Sequence, residues 1–90
     1  MTDTEDKAAA RLIEEFARLA PRYDRRWADY LRVTHEETLR WLELRPHHCL
    51  LDVGCGTGSL LQMIAARYPE VGLTGVDVCD GMLEVARQKL

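Results

Sequence analysis

Cys49-Leu50-Leu51-Asp52-Val53-Gly54-Cys55-Gly56-Thr57-Gly58 decides the fold of this 90-residue chain. Its first half is a short, nearly continuous apolar run, the pattern of a parallel strand covered on both faces. Its second half is a glycine-rich turn. Beyond it, Leu60, Leu61, Ile64, Ala65 and Tyr68 recur at helical spacing from Ser59 to Tyr68 before Pro69 ends the pattern. The stretch therefore reads as strand, loop and helix.

The cycle then repeats. Residues 71–78, Val-Gly-Leu-Thr-Gly-Val-Asp-Val, read as a second strand, and Asp80 is expected to cap a helix carrying Leu83, Ala86 and Leu90. Such alternation predicts βαβ units and a parallel sheet with right-handed crossover, an α/β fold. Two strands alone leave both sheet edges open and one face poorly covered, so the chain is expected to be truncated, with self-association through the open edges as one consequence.

Upstream, Leu12, Ile13, Phe16, Ala17, Leu19 and Ala20 fall on one side of a helix that begins at Thr2 or Thr4, and Pro21 is expected to stop it. Trp27, Tyr30, Leu31, Thr34, Thr38, Trp41 and Leu42 mark a second helix, broken at Arg45-Pro46. The expected division is a helical cap over residues 1–46 and an incomplete βαβα unit over residues 47–90. The cap aromatics are expected mainly to pack against the later unit.

Composition bounds the function. Apolar residues make up 47% and charged residues 30%, an ordinary globular balance, and the formal charge of −3 argues against a nucleic-acid partner, which would need clustered excess Lys and Arg. From the acidic start and the lack of a long apolar run, neither a targeting peptide nor a membrane span is expected, and the expected location is the cytoplasm. Cys49, Cys55 and Cys79 form no CxxC pair and read as reduced, buried thiols. The histidines lack ligand spacing, so no metal site is expected. His47 and His48 fall in the loop entering the first strand, and His35 is expected on the solvated face of the second helix.

The glycine loop lets a ligand approach the backbone closely, and the helix after it presents free N–H groups. Its spacing is G-x-G-x-G. A dinucleotide fingerprint would place Gly or Ala where Ser59 stands, and a phosphate loop would continue Gly-Lys-Ser/Thr. Asp77, about 20 residues beyond the loop, sits at the end of the second strand, where a carboxylate can accept hydrogen bonds from a ribose diol. Both features open onto the crevice outside the carboxyl ends of the strands.

Leu50–Gly58 closely resembles the first motif of class I S-adenosylmethionine-dependent methyltransferases, and Gly75-Val76-Asp77-Val78, with Gly81-Met82-Leu83 and Ala86-Arg87, resembles the second motif and its helix. Tyr23-Asp24-x-x-Trp27 is more loosely similar to the caps of the ubiquinone/menaquinone-type group. The resemblance implies the N-terminal part of a Rossmann-like sheet preceded by two cap helices, S-adenosyl-L-methionine as cofactor and a small-molecule methyl acceptor. Gly54, Cys55, Gly56, Thr57 and Gly58 would shape the backbone around the methionine and ribose. Asp52 would orient that loop and the methionine amine, Asp77 would hold the ribose hydroxyls, and Val78 and Met82 would lie against the adenine. Tyr23 would cover the sulfonium end or serve ordinary packing. Cys79-Asp80-Gly81 departs from the Ser-led turn of many relatives. No catalytic residue is assigned, because the acceptor pocket of such enzymes is built by later strands. Two other classes compete: a non-catalytic module that binds nucleosides or pairs with a partner, and a nicotinamide-dependent oxidoreductase, which the loop spacing disfavours.

Overall fold

In the computed structural model, which describes residues 2–90, the elements run α1 (Asp3–Arg26), α2 (Ala28–Trp41), β1 (Cys49–Val53), α3 (Ser59–Arg67), β2 (Gly72–Val76) and α4 (Asp80–Lys89). The expected α/β class and its element order are present. β1 and β2 pair in parallel from Cys49 opposite Gly72 to Val53 opposite Val76. Parallel pairing demands a crossover, and α3 provides it.

Alternate residues of each strand face α3 or the open side. Leu61 and Ile64 are the buried residues of α3, and Leu61 lies over Gly75, whose missing side chain makes room for it. On the other face Leu51 is 61% exposed and Val53 76% exposed, so the apolar run that suggested a strand covered twice is covered once here. Cys49 belongs to that exposed face, which corrects the expectation that all three thiols are buried; Cys79 is buried and Cys55 half-buried.

The first helix departs from expectation. Thr2 caps it with a reciprocal box, its hydroxyl accepting from the Glu5 N–H while the Glu5 carboxylate accepts from the Thr2 N–H. Pro21 does not end it, and α1 continues to Arg26. A proline inside a helix forfeits the bond to the carbonyl four residues back, here that of Ala17, at a cost of about 3 kcal/mol. Offsetting contacts lie on the same stretch: Ala17 packs against Gly81 where α4 crosses, and Ala20 and Tyr23 pack with Cys79 and Met82. Trp27 alone separates α1 from α2, bonding back to the Tyr23 carbonyl and accepting from the Leu31 N–H.

At the other end, β2 is shorter than residues 71–78. The Asp77 carboxylate accepts from the Cys79 N–H at 2.8 Å, turning the chain away from the sheet. Cys79, not Asp80, is the residue preceding the first turn of α4, and Asp80 lies within that turn, where its charge suits the helix dipole.

Candidate donor-binding site

The glycine loop leaves β1 by anchoring to the neighbouring strand: the N–H groups of Gly54 and Cys55 both donate to the Val76 carbonyl, at 2.8 and 3.0 Å. Gly54 and Gly56 then take φ of +77° and +56°, and a Cβ built on either would meet nothing within 4 Å. These positions combine a left-handed backbone with open space in front of it, the arrangement in which a ligand lies directly on the main chain.

That space is a cavity of about 390 Å³, within the range of small-molecule sites. Gly54, Cys55, Gly56 and Thr57 form its floor, Asp77, Val78 and Met82 one wall, and the cap closes it with Phe16 and Tyr23, among others. Of the residues singled out in the sequence, these eight (Gly54, Cys55, Gly56, Thr57, Asp77, Val78, Met82 and Tyr23) are brought together. Two are not. Gly58 packs toward Ala86 of α4 and Leu90 just beyond it, and Asp52 lies on the α3-facing side of β1 without lining the cavity. Burial pushes the Asp52 carboxyl above its ordinary value, with His35 opposing and Asp77 adding to the rise.

Asp77 joins the two halves of the site. One carboxylate oxygen accepts from the Gly56 N–H at 2.9 Å, the other from the Cys79 N–H at 2.8 Å. A carboxylate offers about four acceptor positions, so each oxygen keeps capacity for a further donor. Two vicinal hydroxyls present that number.

His35 was misplaced by the sequence reading. It lines the cavity instead of standing in solvent, and its Nδ1 is buried without a hydrogen-bond partner. Burial lowers its pKa, against the pull of the Asp52 and Asp24 carboxylates. The overlooked signal was alignment: Leu31, His35 and Leu39 follow one another at four-residue steps, and Leu39 is buried.

Asp24 was quoted in the sequence only as part of the cap motif. Its carboxylate accepts from the hydroxyls of Thr57 and Ser59 and from the Lys89 ammonium. Burial works against the charged form, yet these hydrogen bonds hold Asp24 below its usual pKa. Among the described residues no group of three or more His, Cys, Asp or Glu is placed to hold a metal ion, and no helix is long and apolar enough to cross a membrane.

Comparison with known proteins follows the same geography. Residues 50–90 match the family described as a methyltransferase domain. The chain is 45% identical over 67 residues to the demethylspheroidene O-methyltransferase of Rhodobacter capsulatus, an alignment covering 74% of this chain and 17% of that protein. It is 35% identical over 77 residues to the malonyl-[acyl-carrier protein] O-methyltransferase of Anoxybacillus flavithermus, covering 86% and 29%. Against the demethylmenaquinone methyltransferase of Symbiobacterium thermophilum the identity is 42% over 57 residues, covering 62% and 23%. The chain thus spans less than a third of each of these curated relatives. No solved structure matches it. The glycine loop, β2 with Asp77 at its exit, and α4 all fall within the segment, residues 50–90, that matches the methyltransferase-domain family.

Proposed function

We propose that the protein is an S-adenosyl-L-methionine-dependent methyltransferase acting on a small-molecule acceptor, with this chain supplying the donor-binding part. The observation that carries the reading is the pairing of Asp77 with the glycine loop: one carboxylate bonds the Gly56 N–H and still faces the cavity. The donor, when bound, supplies a methyl group already activated by a sulfonium. The chain's task is then orientation, because methyl transfer is an in-line displacement whose rate depends on holding both reactants at near-attack distance.

Each residue has a part in that task. Gly54 and Gly56 leave the backbone bare for the ribose and methionine portions, and Asp77 accepts from the ribose hydroxyls. Val78, 82% exposed, and Met82, buried, offer an apolar edge and floor for the adenine. Tyr23 packs on Met82 and Cys79 at the cavity wall, so it covers the donor while serving the core. Asp52 acts on the loop from beneath rather than by contact from the cavity. The acceptor is taken as a small molecule because relatives are named as methyltransferases of demethylspheroidene, trans-aconitate and demethylmenaquinone. Three free cysteines fit a reducing compartment, and we place the protein in the cytoplasm. The cap over residues 1–46 and the βαβα unit over residues 47–90 act as lid and floor of one site.

Calorimetric titration of the full-length protein with the demethylated donor tests this. One site per chain is expected, and Asp77→Ala should weaken it by about 1.5–3 kcal/mol, the range for hydrogen bonds to a charged group. Absence of binding by the wild-type protein, or tight binding of a nicotinamide dinucleotide in its place, would contradict the assignment.

A further inference from the structure

Four side chains from three separate stretches of the sequence meet beside the cavity. The Asp24 carboxylate, near the end of α1, accepts through one oxygen from the Thr57 hydroxyl and, at 2.9 Å, from the Ser59 hydroxyl. Its other oxygen accepts from the Lys89 ammonium at the end of α4, which also donates to Ser59 Oγ at 3.2 Å and Thr57 Oγ1 at 3.4 Å. Asp24 and Lys89 do not line the cavity. They face a neighbouring depression that shares His35 and Ser59 with it.

The position of this clasp on the loop is what gives it consequence. Gly56 is fixed by Asp77, while Thr57 and Ser59, the next residues with side chains, are fixed by Asp24. One carboxylate comes from the sheet and the other from the cap. A loop with glycines at positive φ loses much chain freedom when it orders, so anchors on both sides determine how much of that loss is met before a ligand arrives. Ala20, the one buried residue of α1, packs with Cys79 and Met82 on α4, and the clasp adds a polar tie between α1 and the loop. Lys89, 19% exposed, supplies the charge that a carboxylate in this half-buried setting requires.

We propose that Asp24, held by Lys89, is a positioning residue that makes ordering of the glycine loop and docking of the cap a single coupled event. This rests on the donor-binding reading above. Linkage then runs both ways: a ligand that binds the ordered loop must also stabilise α1, and loosening α1 must weaken the ligand.

The test uses the full-length protein, the demethylated donor as probe, calorimetry for affinity and hydrogen exchange for the cap. In the wild type the probe should bind and slow amide exchange across the second half of α1. In Asp24→Asn, affinity should fall about tenfold, the loss of one charge-assisted interaction, and the slowing of α1 should disappear while exchange in β1 and β2 stays protected. Lys89→Met should reproduce both effects at reduced size; if Asp24→Asn fails to fold, Lys89→Met and Ser59→Ala carry the test. A clasp that merely stabilises the fold would lower the unfolding temperature yet leave affinity and probe-induced slowing as in the wild type, and that result overturns the proposal alone. A wild-type protein that does not bind the probe overturns the donor-binding reading, and this proposal with it.

Discussion

The cap and the βαβα unit hold themselves together by different means. α3 buries Leu61 and Ile64 within nine residues, whereas α1 buries Ala20 alone within 24. The unit relies on apolar side chains over a sheet face. The cap relies on close approach of small residues, Ala17 against Gly81, on the Cys79 thiol donating to the Ile13 carbonyl, and on the polar clasp at Asp24. Hydrophobic burial is proportional to area and tolerant of small shifts, while short contacts and hydrogen bonds are not. Low local burial marks the segments that open first, so amide exchange in α1 is expected ahead of that in β1 and β2.

Substitutions at two glycines should separate the halves, and the larger effect belongs to the floor. A Cβ at Gly75 would lie 2.6 Å from Leu61 Cδ1 and 2.8 Å from Cys55 Sγ. Gly75→Val should therefore destabilise the whole chain by about 2 kcal/mol, within the range for overpacked cores, and chemical denaturation should show it. Gly81→Ala is the counterpart in the seam, where the added methyl would come within 2.9 Å of Ala17 Cα and Cβ. Part of that strain is returned as helix propensity, so the net loss should be about 1 kcal/mol and should appear as faster amide exchange in α1 with β1 and β2 unchanged. Equal acceleration in α1 and in the strands would contradict a separate response of the two halves.

The smallest effect expected is on pH. His35 is held below its ordinary pKa of 6.5 by burial, so the folded protein resists a proton that the unfolded chain accepts, and stability present above that pH is lost as it falls below. Asp24, also lowered, adds a further loss when the pH drops into the ordinary carboxylate range. Asp52, raised by burial, runs the other way and gains stability on protonation. Protection factors in α1 and α2, which correct for the slower intrinsic exchange at low pH, should fall between about pH 7 and 5, ahead of the sheet; a cap indifferent to pH there would remove His35 from the packed interface.

Much of this was legible in the sequence where local pattern and tertiary role coincide. β1 occupies residues 49–53 as read, because a five-residue apolar run before glycines has few alternatives, and α3 begins at Ser59 as read. Pro21 misled because a local rule was overruled by contacts with Gly81, Cys79 and Met82, more than 55 residues away. His35 misled because its charged neighbours Glu36 and Glu37 suggested solvent, while its four-residue alignment with Leu31 and Leu39 pointed inward. The Asp24–Lys89 clasp had no local signal, since its partners lie 65 positions apart.

The most direct test of the central claim, that the strand exits at Gly54–Thr57 and Asp77 hold one nucleoside between them, is a crystal structure of the full-length protein with the demethylated donor. Both ribose hydroxyls are expected within about 3 Å of the Asp77 carboxylate, with the sugar against Gly54 and Gly56. A nucleoside bound elsewhere, or one whose ribose turns away from Asp77, would contradict it.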